Sequence, residues 1–147
     1  MAINPLLKPS DRVAVLGIIG SQSATTVQGT GWIPVNLYEN LLAIVNVGVI
    51  SSTGTVDAKI QQATSSAGAG AKDVTGKAIT QLTQAGSGSN KQALINFSVS
   101  DLDHANGFTY VQLSITPATA AALISGLLLG FDGKYPVANV TTVGEVV

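Results

Sequence analysis

The sequence predicts an all-β protein, an antiparallel β-sandwich or jelly roll entered by an extended N-terminal arm. Three observations carry this expectation. Apolar and polar residues alternate through residues 55–60, 92–99 and 108–115, the period of strands with one buried face. Runs of Gly, Ser, Thr and Asn interrupt the alternation at strand-length intervals, as turns do in antiparallel sheets. No long helix is expected, and half-buried strands of this kind suit a sandwich better than a parallel sheet covered by helices. The expected organisation is an arm and loop over residues 1–30, a sandwich over residues 31–136 and a tail over residues 137–147.

Residues 1–31 show no clear period. Pro5 and Pro9 fix their own backbones and restrict the residues before them. The aliphatic run at residues 13–19 suits an edge strand or a segment lying across the body, and residues 20–31 read as loop. Trp32 to Val35 is a short extended stretch in which Pro34 prevents full ladder pairing. Residues 40–50 are almost continuously aliphatic. Residues 55–63 follow as a second antiparallel strand, with Val56, Ala58 and Ile60 inward and Thr55, Asp57 and Lys59 outward. A hairpin-like Ser-Ser-Thr-Gly link joins the two.

Residues 65–72, SSAGAGAK, and 85–90, AGSGSN, read as surface loops. Between them, KAITQL is expected to be strand because of its Ile and Thr content. Ala93, Ile95, Phe97 and Val99 point inward from the next strand, with Leu94 on the opposite side among polar residues. Val111, Leu113 and Ile115 form the core side of the following one. Residues 118–122 have the composition of a helix, but in context they are expected to lead into a strand over residues 122–131.

The chain has 147 residues, a length that suits one domain. Charged residues make up 10% of it, against roughly 25% in average globular proteins. Sixteen Gly, 13 Ser and 14 Thr take the place of the missing charges. The net charge is −1 with no basic cluster, which argues against nucleic acid and against an anionic membrane surface as partners. Without cysteine there is no thiol chemistry and no Cys-ligated metal. No signal peptide is evident, and the apolar segment at residues 118–131 falls short of a bilayer span.

Few residues suggest chemistry. His104, the only histidine, stands in DLDHANG beside Asp101 and Asp103. Carboxylate and imidazole can ligate metals, but this spacing matches neither a calcium loop nor a zinc signature, and a solvated turn explains it better. No Gly-x-Ser-x-Gly elbow is present. Glu39 and Asp57 are an arbitrary carboxylate pair among eight acidic residues. The stretch ending at Lys72 lacks the Gly-Lys-Ser/Thr of a phosphate loop. No catalytic residue, cofactor or metal is therefore expected, and the chain reads as a non-enzyme. Trp32 and Tyr38 are candidate interface residues: either could stack on a sugar ring, and Trp32 reads more readily as a core or inter-subunit anchor. Leu94, Leu128 and the valine-bearing tail from Val137 are surplus apolar residues that subunit contacts would bury.

The ordered series GWIPVNLYENLLAIVNVGVISSTGTVDAKIQQAT, GAKDVTGKAITQLTQAGSGSNKQALINFSVSDLD and ANGFTYVQLSITPATA…GLLLGFD spans about residues 31–132. It resembles small virion structural proteins of tailed bacteriophages and gene-transfer particles. The resemblance implies a β-sandwich head decoration or cement protein. It implies a homotrimer on the outer surface of the head, made in the host cytoplasm, with the major capsid protein as partner. A head–tail connector or tail component and a carbohydrate- or receptor-binding accessory domain are the alternatives within the virion. No catalytic role follows for His104 or Asp103.

Overall fold

Alternating strands can bury their apolar sides only by facing a second sheet, and the chain does this from Val13 onward. The computed structural model describes residues 6, 8–134 and 139–147. After a short 3-10 turn at Pro9–Asp11, the strands are β1 (Val13–Ala24), β2 (Gln28–Gly29), β3 (Ile33–Pro34), β4 (Asn40–Ile50) and β5 (Thr55–Ala63). They continue with β6 (Lys72–Ala78), β7 (Leu82–Thr83), β8 (Lys91–Ser98), β9 (Tyr110–Ala118) and β10 (Ala122–Phe131). One sheet has the order β1-β10-β4-β8, and the other has β2-β9-β5-β6 with β3 on β9 and β7 on β5.

The pairings are nested. β1 pairs β10, β2 and β3 pair β9, β4 pairs β8, and β5 pairs β6, all antiparallel. A long hairpin of strands folded over on itself in this way is a jelly roll. The link at residues 51–54 is consequently a corner between sheets and not a hairpin. β4 and β5 each have one strongly apolar face, and placing them across the sandwich from each other buries both. Gly54 permits the corner, since a Cβ there would lie 2.7 Å from the Ile50 Cγ2 and 2.9 Å from the Ser51 carbonyl oxygen.

The core lies between the sheets. Val45, Val56, Ile60, Val111, Leu113, Ile115 and Leu128 are all fully buried in it. At about 1.5–3 kcal/mol per buried aliphatic side chain, these residues supply the main stabilisation in a chain poor in aromatics. Gly126 lets the sheets close: a Cβ there would meet the Leu113 Cδ2 at 2.9 Å. Gln62 is the exception among the inward positions, and its Oε1 accepts the Asp103 N–H at 2.8 Å.

Three further sequence expectations change. The sandwich begins at β1, well before residue 31, because the aliphatic run at residues 13–19 is the outer strand against β10. That strand continues through the polar residues 20–24, whose backbone still pairs with β10 beyond a bulge between Ile19 and Gln22. Of the arm, residues 1–5 and 7 lie outside the described residues, as does Val137 at the start of the tail. Third, KAITQL is divided: Lys77 and Ala78 end β6, Leu82 begins β7, and the residues between are not in strand.

Candidate functional site

The candidate metal-binding turn is held by structural bonds. Asp101 accepts the Ser98 N–H at 2.8 Å and pairs with Lys77 at 3.3 Å. Asp103 pairs with Lys72 and accepts two hydrogen bonds from the Asn106 amide. The His104 Nε2 lies 2.7 Å from the Val99 carbonyl oxygen. No group of three His, Asp or Glu placed to hold a metal ion occurs among the described residues. Glu39, just before β4, and Asp57, in β5, belong to opposite sheets. Lys72 extends the same cluster by lying 4.1 Å from the centre of the Phe108 ring, a cation–π contact. The geometry ties strand β6 to the β8–β9 loop, and its chemistry is that of a clasp.

The ion pairs leave a pH signature. Hydrogen bonding from Lys59, then from Gln61, holds the Asp73 carboxyl below its ordinary 3.8. The Ser98 backbone N–H, then Lys77, does the same for Asp101, and Lys72, then Asn106, for Asp103. A carboxyl depressed in the folded state stabilises fully above its unfolded value and loses that contribution as pH falls through the folded one. The melting temperature is therefore expected to be level between about pH 5 and 7 and to drop below about pH 4. The three pairs are solvent-exposed and each contributes little, so Asp73→Asn should remove part of this acid-sensitive drop. A melting temperature that rises on acidification would contradict it.

The four predicted interface residues occupy four different settings. Leu128 is 0% exposed, within the core, so it presents nothing to a partner. An alternating strand has one inward set, and Leu128 shares it with Ile124 and Ala122. Tyr38 is 8% exposed, its ring over Gly130, where a Cβ would meet it at 2.7 Å; it is no sugar platform. Trp32 is half-buried and its indole lies against Gly68 in the β5–β6 loop. Leu94 alone projects outward, 60% exposed. At the C-terminus, the Val140 N–H donates to the Val15 carbonyl and the Asn139 Oδ1 accepts the Val15 N–H, covering part of the β1 edge. Val146 and Val147 beyond it are exposed.

The two outer faces differ in kind. On the β2-β9-β5-β6 sheet, Gln112 donates to Gln61, Gln61 and Lys59 donate to Asp73, and Gln81 donates to Asp57. This is a solvated polar face. On the β1-β10-β4-β8 sheet, register brings Ile18, Leu127, Ile44 and Leu94 into one row across all four strands. The adjacent row is Val15, Leu129, Leu42 and Asn96. On the other side lies the polar row Ser125, Asn46 and Gln92, where an open groove follows the bulges of β1 and β4. Lys91 is the only charged side chain in those four strands. Sequence reading singled out Leu94 and missed its row. The signal was present: residues 41–50 and 122–131 are apolar on both sides, the pattern of strands covered on both faces.

The class defined by this geometry is a double-sheet jelly roll with one polar and one aliphatic outer face. No protein-family model matches the chain, and no curated protein does. Among solved structures, it is similar to a chain of infectious bursal disease virus, Gt strain, at 12% identity and TM-score 0.40. It is similar to a chain of broad bean stain virus at 15% identity and TM-score 0.42, and to one of the Gx strain of infectious bursal disease virus at 14% and 0.40. These matches cover 92%, 86% and 92% of this chain, and it spans 38%, 66% and 37% of those chains. No helix among the described residues is long and apolar enough to cross a membrane.

Proposed function

We propose that the chain is a non-enzymatic virion structural protein, a decoration or cement component that binds the exterior of a bacteriophage head and reinforces contacts between major capsid subunits. The single observation that carries this is the almost uncharged aliphatic outer face of the β1-β10-β4-β8 sheet, a surface suited to cover by other protein. The jelly roll is a fold used by viral capsid proteins, and also by lectins and cupins, so fold alone does not select among them. The sequence resemblance over residues 31–132 favours the virion among them. Asp101 and Asp103 of the suggestive turn bind Lys77 and Lys72 of β6, and the His104 ring lies on the Val99 carbonyl oxygen, so all three are engaged in structural contacts.

Localisation in a density map of the assembled particle tests the reading. Hundreds of copies on the head exterior are expected. Six or twelve copies at one vertex would replace it with the connector reading, and a few copies on a spike with the receptor-binding one. Absence from purified particles would overturn the virion assignment altogether.

A further inference from the structure

We propose that the aliphatic outer face of the β1-β10-β4-β8 sheet packs against the same face of a second copy of this chain, sheet on sheet. The proposal goes beyond the virion reading and does not depend on it.

Charge is the first reason. A face that meets its own copy places identical groups near one another, so any fixed charge is set against itself. Here four strands carry one charged residue, Lys91, at the start of β8. The other sheet carries Asp57, Lys59 and Asp73 among its outward residues and is unsuited to such a contact.

The second reason is area. Four strands about 4.8 Å apart and five outward rows about 6.7 Å apart make a face of roughly 640 Å². Two copies together would remove about 1,300 Å² from water at full overlap, near the lower end of specific interfaces. Ile44 and Leu127 lie inside this area, Leu94 ends their row, and Asn46, Gln92 and Ser125 form an uncharged polar margin able to hydrogen-bond.

The third reason is that both edges of this sheet are partly occupied. The C-terminal segment covers part of the β1 edge. On β8, the Lys77 ammonium donates to the Asn96 carbonyl at 3.1 Å. An edge occupied at these points is a poorer template for strand addition, which favours the face as the adhesive surface. Contact between like faces closes at two copies, in contrast to the homotrimer that the family resemblance implies.

Sedimentation equilibrium and native mass spectrometry of the full chain at micromolar concentrations test this. A dimer is expected. Leu94→Lys, at an exposed position, should weaken it at least tenfold while the circular dichroism stays that of the parent. Ile44→Lys should do the same or more, and Thr75→Lys on the other sheet should have no effect. If Ile44→Lys fails to fold, Leu94→Lys decides. A parent monomer, a trimer, or a dimer indifferent to Leu94→Lys would each overturn the proposal. Both readings draw on this face, but a particle map reads copy number and position whatever the solution state. Failure of the dimer and failure of the virion reading are therefore told apart by different measurements.

Discussion

Leu128→Ala is expected to lower the free energy of unfolding by about 3–4 kcal/mol and to leave self-association unchanged. Leu128 is completely buried and sits mid-strand in β10, between the glycines at positions 126 and 130. Its Cα partners are Gly17 on β1 and Ala43 on β4. With Gly and Ala on both flanks, few neighbouring side chains can extend into the vacated space, so most of the cavity would persist and the cost falls in the upper part of the usual range. Against a total stability of about 5–15 kcal/mol, that is a large fraction. For a chain of this size it corresponds to a fall of roughly 10 °C in melting temperature. Chemical denaturation and native mass spectrometry on the same sample check both halves. A loss below about 1 kcal/mol, or dissociation of an assembly without loss of stability, would mean that Leu128 faces a partner after all.

The contrast between Leu128 and Leu94 shows what the sequence made legible. Period-two alternation placed Val56, Ala58 and Ile60 inward and Lys59 outward, and did the same for Ile95 and Phe97 against Leu94. The strands Asn40–Ile50, Thr55–Ala63 and Ala122–Phe131 could be read because turn residues bound them sharply. Strand β1 was harder. Its second half is polar because it runs past the edge of the core, and only backbone pairing to β10 makes it strand. Pairing partners are a non-local property: nothing in residues 51–54 says whether the chain folds back beside β4 or crosses to the other sheet. The stripe from Ile18 to Leu94 was hidden for the same reason, since its four residues are far apart in sequence and meet only through register.

Gly68→Ala is expected to destabilise the protein by about 2–3 kcal/mol and to change the environment of Trp32. Two costs add. Gly68 has φ +79°, a left-handed conformation that costs an L-residue about 1–2 kcal/mol. Its new Cβ would also stand 2.3 Å from the Trp32 Nε1 and 2.8 Å from the Cε2, so the indole or the loop must move. Gly70→Ala separates the two, because Gly70 also has positive φ, +65°, but its Cβ would find only Phe108 at an ordinary 3.7 Å. Trp32 is the sole tryptophan, so its emission reports the displacement directly. Gly68→Ala should shift that emission to the red and Gly70→Ala should not. Removing the ring with Trp32→Ala should make the Gly68→Ala cost approach that of Gly70→Ala, a coupling read from a double-mutant cycle. Equal costs for the two glycines together with unchanged emission would show that the indole does not bear on the loop. The result bears on function as well. An indole that holds the β5–β6 loop has a structural duty, which favours Trp32 as an anchor within the jelly roll over a free platform for a sugar ring.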